Sequence, residues 1–230
     1  MFKRLLCLAV LITAAAPGSI AAGSLDKVSL RLDLGTLISL HGRYSESYKL
    51  TDMVLPGAGL GLSLRYRAHP AILLEAGYSY NWMFIQEDMR PSAYTADKPA
   101  LVLPMYTLNG IVLMSQSESL RPYFTLGGGL CPWRFAEEAI RGEIWPAPLD
   151  SDDTYAKNSL ILNAGLGLEL IPWSRVSFVV EAKYHLLFSK DEARFGTEGF
   201  NNQSFLGLRL GIVYSFGPQK SPAQEEEDFE

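Results

Sequence analysis

The amino-acid sequence predicts an all-β protein, an eight-stranded antiparallel up-and-down transmembrane β-barrel. Three observations lead to this prediction. Apolar and polar residues alternate with a period of two in eight segments between residues 28 and 216. The connections between these segments are alternately long and short, which is the layout of a membrane barrel. After residue 25 there is no run of about 18 apolar residues, so no transmembrane helix is expected in that part of the chain.

Each of the eight alternating segments is predicted to be one strand. Successive side chains of a strand point to opposite faces, so the alternation gives each strand one apolar and one polar face. In the first segment the even-numbered residues are largely apolar, whereas Arg31 and Asp33 lie on the opposite face. The predicted strands are residues 28–40, 58–67, 72–82, 102–114, 122–134, 160–170, 176–188 and 206–216.

The second and third strands repeat the pattern of the first, with Arg65 and Glu75 on the polar face. The fourth and fifth strands alternate less cleanly, and Ile111 and Leu113 blur the polar face of the fourth. Pro104 cannot donate a hydrogen bond to a ladder, so we expect it near a rim or at a bulge.

The last three strands separate their two faces again. Glu169, Glu181, Lys183 and Arg209 oppose rows of leucine, valine and aromatic residues, and glycine fills many other polar-face positions, as suits a crowded interior wall. The connections after the first, third, fifth and seventh strands are long, namely residues 41–55, 83–100, 136–157 and 189–203. The other three connections are short.

A soluble barrel of the lipocalin kind is the alternative architecture, and it would have its polar face outside and an apolar cavity inside. Here the charged face is rich in small residues, whereas the apolar face is bulky and present on nearly every strand. Aromatic residues cluster at strand ends, which predicts two girdles at the membrane surfaces. The girdle residues are predicted to be Tyr80, Trp82, Trp133, Phe135 and Phe188 at one surface and Tyr66, Trp173, Tyr214 and Phe216 at the other.

Residues 1–22 are interpreted as a secretory signal peptide. Lys3 and Arg4 make the start positive, residues 5–16 are apolar, and small residues follow, with cleavage expected after one of residues 21–23. An uncleaved anchor helix is the alternative, but the apolar run is short for it. Residues 23–216 are then the barrel.

Charge and cysteine content narrow the possible partners and compartments. The formal net charge is −5, and loss of the signal peptide would make it more negative, which argues against nucleic acid as a partner. Cys131 is the one cysteine after the predicted signal peptide, so no internal disulfide is expected in the mature chain. Residues 217–230 end in an acidic run and are predicted to be a disordered periplasmic tail.

Three segments resemble the small outer-membrane barrel family typified by OmpX and the transmembrane domain of OmpA. They are Leu120–Leu130, Leu162–Phe188 and Phe205–Phe216. The resemblance implies a bacterial outer-membrane location, contact with outer-membrane lipid and lipopolysaccharide, and both mature termini in the periplasm. It also implies that the outer-membrane assembly machinery recognises Tyr214 and Phe216.

The chain departs from this family at its C-terminal end. In many relatives the closing phenylalanine is the last residue, whereas residues 217–230 follow Phe216 here. Because this tail is too short for a peptidoglycan-binding domain, we do not expect that role.

The inward-facing charges predict a packed interior. An eight-stranded barrel is just wide enough for side chains to fill, and both signs of charge are present in similar number. We therefore expect ion pairs that close the lumen, with a narrow ion path lined by the same residues as the alternative. The predicted interior network is Arg31, Asp33, Arg65, Glu75, Glu169, Glu181, Lys183 and Arg209, with Arg67 and His185 on the same face.

No catalytic, cofactor or metal site is predicted. The glycine runs at 57–61 and 127–129 do not open a helix, as a phosphate loop would require. Leu187, and not serine, lies two residues after His185, so the His-x-Ser pairing of the lipid A deacylase family is missing. Residues 150–153 lack the glycine and distal glutamate of an EF-hand.

The sequence therefore predicts a plugged outer-membrane barrel with a structural or surface-interaction role and four displayed extracellular loops. A narrow channel for small solutes and, less favoured, a lipid-modifying enzyme are the alternatives.

Overall fold

The computed structural model describes residues 26–43, 49–86, 88, 98–115, 117, 119–146, 153–171, 173, 175–195 and 201–217. Eight antiparallel strands form a closed barrel, in which each strand pairs with its neighbours along the chain and the last pairs with the first. This confirms the predicted fold class. The predicted signal peptide, and the acidic tail beyond Gly217, lie outside the described residues.

All eight predicted strands are present, and several extend beyond their predicted limits. They are β1 (Val28–His41), β2 (Gly57–His69), β3 (Ile72–Phe84), β4 (Ala100–Leu113), β5 (Leu120–Ala136), β6 (Ala156–Leu170), β7 (Val176–Leu187) and β8 (Gln203–Ser215). Two helical turns, α1 (Leu50–Met53) and α2 (Glu192–Phe195), lie in the connections after β1 and β7. Among the described residues, no helix has the length and apolar character needed to cross a membrane.

The period-two pattern decides which side chains point into the barrel. In β1, Leu32 and Leu34 are 58% and 61% exposed on the outer wall, whereas Arg31 and Asp33 are buried inside. Along the other strands the outward residues are likewise largely apolar, and the buried charged side chains point inside. A soluble barrel would have the reverse arrangement.

The ladder between β4 and β5 is interrupted towards the end of the barrel that carries the long connections, here called the loop end. Pairing stops beyond Val102 and resumes at Tyr106, and between them Pro104 faces Pro132. Neither proline can donate a hydrogen bond, so this part of the ladder cannot close. Pro104 thus lies close to the rim, at an irregularity that its missing N–H explains.

The outward orientation of β6 leads to a prediction about lipid contact. We expect Leu166→Arg, near mid-strand, to lower the free energy of unfolding by about 2–4 kcal/mol, because arginine near the bilayer midplane is costly. Leu170→Arg is the matched control on the same face. Leu170 is the last residue of β6, at the end of the barrel with the short turns, where the membrane surface is close and the expected cost is about 0–1 kcal/mol. Urea unfolding in lipid vesicles, followed by tryptophan fluorescence, measures both. Equal costs at the two positions would show that the outer wall of β6 does not face lipid.

Candidate functional site

The barrel interior is the candidate functional site, and a charged belt occupies its middle. The belt consists of the eight predicted interior residues, Arg31, Asp33, Arg65, Glu75, Glu169, Glu181, Lys183 and Arg209, all of which are buried. Every one of them lies within 4 Å of an oppositely charged member of the set. The structure thus brings the eight residues into one connected set of ion pairs.

Arg31 is the centre of this belt. Its guanidinium donates to Glu181 Oε2 over 2.7 Å, lies 3.2 Å from Asp33 Oδ2 and lies 3.6 Å from Glu75 Oε2. These carboxylates come from β7, β1 and β3, so a single cation joins three walls of the barrel. Burying a charge this deeply is tolerated only when paired, and Arg31 has three partners.

Two other cations extend the belt around Glu75 and Glu181. Arg65 Nε donates to Glu75 Oε2 over 2.8 Å, and Arg65 Nη1 lies 3.6 Å from Glu169 Oε2 on the far wall. Lys183 Nζ lies 3.2 Å from Glu181 Oε1 and 3.9 Å from Glu75 Oε1. Each of the two central glutamates is therefore shared between cations.

Arg209 closes the belt where β8 meets β1. It donates to Asp33 Oδ1 over 2.5 Å and to Asn81 Oδ1 over 2.8 Å. Gly61 lies beside this pair, and a Cβ built there would be 2.5 Å from Asp33 Oδ1 and 2.8 Å from Arg209 Nη1. A side chain at position 61 would thus displace the ion pair, which explains why glycine occupies the inner wall there.

Neutral polar residues complete the belt, and sequence reasoning did not single them out. Asn109 donates to Glu75 Oε1 over 3.0 Å, and Asn81 accepts from Arg209. The hydroxyl of Ser177 donates to Glu169. Their positions on the inward face of their strands were the available signal, because every polar residue on that face must find a partner inside.

A small polar cavity lies beside the belt. It has a volume of about 40 Å³, and His185 lines it together with six belt residues. Neither ring nitrogen of His185 has a hydrogen-bond partner among the described residues, nor does the amide of Asn163, its neighbour across the ladder. A polar cavity of this size can hold ordered water that satisfies such groups.

Below the belt, at the end of the barrel with the short turns, an apolar cluster fills the lumen. This turn-end layer consists of Leu73, Ile111, Leu113, Tyr123, Val179 and Val213. Ile111 and Leu113 therefore point inward, and they blur the polar face of β4 because this part of the interior is apolar. Arg65 lies over the ring of Tyr123, 5.8 Å from its centroid, which joins the layer to the belt.

A larger apolar cluster fills the loop end. This loop-end layer combines inward residues of the strands, such as Trp133 and Phe135, with residues of the long connections, including Leu50 and Met53 of α1 and Phe195 of α2. Aromatic rings stack within it: the ring centroids of Trp145 and Phe135 are 5.8 Å apart, and those of Tyr155 and Phe195 are 5.5 Å apart. The long connections thus contribute side chains to the barrel mouth.

An ion pair joins two of these connections above the mouth. Arg194 of α2 donates to the carboxylate of Asp153, and this hydrogen bond holds the pKa of the Asp153 carboxyl below its usual value. Lys157 Nζ lies 3.2 Å from Asp191 Oδ2 nearby. The β5–β6 and β7–β8 connections are therefore linked to each other as well as to the layer beneath.

The prediction that Trp133 and Phe135 belong to an outer aromatic girdle is wrong. Trp133 is 1% exposed inside the barrel, where its indole donates to Ser159 Oγ over 3.0 Å. Both residues have the same strand parity as Tyr123, so they share its inward face. Their location at a strand end suggested a girdle, whereas their odd-numbered positions in β5 place them on the inside of the barrel wall.

The other predicted surface aromatics lie on the outside. Tyr80 and Trp82 are half-buried on the outer wall of β3, with their rings 6.1 Å apart, and Trp173 is exposed in the β6–β7 turn. Tyr214 and Phe216 are exposed near the end of β8, with their rings 5.7 Å apart. Within the described ranges, no three His, Cys, Asp or Glu side chains are arranged to hold a metal ion.

Comparisons with known proteins agree with this architecture. The sequence model of the family described as outer membrane protein beta-barrel domain matches residues 5–216. A search of curated proteins finds no match.

A search of solved structures finds proteins of Gram-negative bacteria that are similar to this chain over most of its length. Neisserial surface protein A is 14% identical, with a TM-score of 0.55, over 83% of this chain and 97% of that one. The attachment invasion locus protein Ail of Yersinia pestis is 17% identical, with a TM-score of 0.43, over 82% and 98%. OprG of Pseudomonas aeruginosa is 13% identical, with a TM-score of 0.46, over 83% and 95%. At 14% identity, the likeness to Neisserial surface protein A concerns the fold alone.

Proposed function

This chain belongs to the outer membrane protein beta-barrel domain family of bacterial outer-membrane proteins, and we propose that it is a plugged, non-enzymatic barrel. In this proposal its role is structural or interactive, and its four long connections are displayed at the cell surface. The signal peptide directs export, and both mature termini lie in the periplasm. Outer-membrane lipid and lipopolysaccharide surround the barrel after the assembly machinery has inserted it.

The observation that carries the proposal is the filling of the lumen by three successive layers. A belt of paired charges lies between an apolar layer at the turn end and a larger one at the loop end. An ion that entered would have to displace paired charges in the middle and lose its hydration in the apolar layers. Both steps are costly, because unpaired charges are poorly tolerated away from water.

The alternative is a narrow channel for small solutes, which the polar cavity of about 40 Å³ beside the belt favours. Conductance separates the two functions. We expect purified barrel, refolded and shown to be heat-modifiable on a gel, to give no steady conductance in a planar bilayer. Detergent without protein is the blank, and a sample kept unfolded controls for membrane damage. Steady single-channel currents from folded protein alone would contradict the plug and make the belt residues the channel lining.

A further inference from the structure

The connection that follows β5 folds back against the outer wall of the barrel. Ala100, Val102 and Ala136 lie at outward positions of β4 and β5, yet none of the three is exposed. Ala139, from the connection, and Tyr80, on β3, pack against them. The hydroxyl of Tyr80 donates to the carbonyl oxygen of Ala139. The segment therefore turns outward and lies along the outer wall of β3–β5, instead of extending from the loop end into solvent.

This segment, residues 137–144 and here called the outer hairpin, has a defined conformation. Its base is closed by a hydrogen bond from the Glu137 N–H to the Glu143 carbonyl oxygen over 2.9 Å. Gly142 permits the tight turn, because a Cβ there would be 1.9 Å from Glu138 N. Just beyond the hairpin, Trp145 is buried in the loop-end layer and stacks on Phe135. The hairpin is thus fixed from inside the barrel while its tip lies outside.

The tip of the outer hairpin presents an unpartnered apolar side chain. Ile140 is 75% exposed, and Ile144 is exposed on the same segment. Ile140 follows directly after Ala139, so it lies close to the hydroxyl of Tyr80. Tyr80 and Trp82 form an aromatic pair on the outer wall, and tyrosine and tryptophan mark the level of the membrane–water interface in barrels. The tip is therefore held at interfacial height.

We propose that the outer hairpin is a membrane contact, with Ile140 inserted at the boundary between headgroups and acyl chains of the outer leaflet. Two observations point to lipid as the occupant. The hairpin lies against a wall whose continuation on β4 and β5 is the exposed apolar face with Tyr106 and Leu130. The charged side chains of Glu138, Arg141 and Glu143 flank Ile140, so they can stay among headgroups and water while the isoleucine alone enters the apolar region. This contact is independent of whether the lumen is plugged.

The experiment measures the depth of a nitroxide at position 140. The chain has two cysteines, Cys7 and the buried Cys131, and both are replaced by alanine so that labelling is confined to the introduced cysteine. Ile140→Cys is labelled in the full barrel, which is reconstituted in vesicles of phosphatidylcholine and phosphatidylglycerol. Power saturation compares accessibility to oxygen, which concentrates in lipid, with accessibility to a water-soluble nickel chelate. Heat-modifiable gel mobility verifies that each variant is folded.

Two positions supply matched references. Glu143→Cys carries the same label on the same hairpin but on a polar, exposed position, and Leu126→Cys places it on the lipid-facing wall of β5. We expect an oxygen-to-nickel accessibility ratio several-fold higher at 140 than at 143, and lower at 140 than at 126. A ratio at 140 equal to that at 143 would place Ile140 in water and overturn the proposal, leaving the tip as a surface for an extracellular protein.

Discussion

A chain that ends at Val213 is expected to fail to form the barrel, whereas a chain that ends at Phe216 is expected to fold. The three residues that separate these variants complete the contacts of β8 with both neighbours. Tyr214 pairs with Leu30 on β1 and with Val176 on β7. Without this part of β8, backbone groups at the closing seam have no partner.

The last residues of the strand make specific backbone hydrogen bonds. The Phe216 N–H donates to the Val28 carbonyl oxygen over 3.1 Å, and the Ser215 N–H donates to the Arg175 carbonyl oxygen over 2.8 Å. In lipid each unsatisfied backbone group costs several kcal/mol, so a barrel with an open seam is not stable. The deletion therefore removes more stability than any single outward substitution.

The measurement is heat-modifiable gel mobility after refolding into lipid vesicles, together with membrane fractionation of cells that express each variant. Phe216→Ala separates the assembly signal from closure, since the backbone hydrogen bond is kept. We expect it to refold in vesicles but to accumulate in the periplasm of cells. Leu208→Ala, on the outer face of the same strand, is the matched control and should reach the outer membrane. Normal insertion of the chain ending at Val213 would disprove the role of this segment in closing the barrel.

The strands and their faces could be predicted from the sequence because the barrel separates its environments by strand parity. One face of each strand lies in the interior and the other lies on the outer wall, so the required residue type alternates with a period of two along every strand. Arg31 and Asp33 were assigned inward from this pattern alone, and they are buried. The Trp133 prediction failed where strand-end location was given more weight than parity.

The partners within the belt could not be predicted in the same way. Parity places Arg31 and Glu181 on the inner wall, but the 2.7 Å contact between them joins residues 150 positions apart in the chain. Which inward residues meet depends on the register of all eight strands together. The loop-end layer was equally hidden, because α1, α2 and Trp145 belong to connections that have no periodic signal.

The charged belt leads to the second large expected effect. We expect Arg31→Ala to lower the free energy of unfolding by about 3–5 kcal/mol, since it leaves buried carboxylates without their shared cation. The residues affected are Asp33, Glu75 and Glu181, all buried and all within 4 Å of the guanidinium. Urea unfolding in lipid vesicles, followed by tryptophan fluorescence, gives the difference.

Two further variants test whether the loss of stability in Arg31→Ala comes from leaving buried charges unpaired. Lys190→Ala breaks the Lys190–Glu192 ion pair, whose 2.5 Å separation is similar but whose side chains are about half exposed, so the expected loss is only about 0–1 kcal/mol. The double variant Arg31→Met with Glu181→Gln removes both charges of one buried pair. It should cost less than Arg31→Ala alone, because fewer uncompensated charges stay in the lumen.

Conductance of the same variants connects stability to function. Under the plug proposal, Arg31→Ala barrels should be less stable yet still give no steady current, because the turn-end and loop-end layers are unchanged. The plug would be contradicted if the wild-type barrel conducted and the Arg31→Ala barrel kept full stability and differed only in its ion selectivity. The belt would then act as the lining of a conducting path, and its ion pairs would contribute little to holding the walls together.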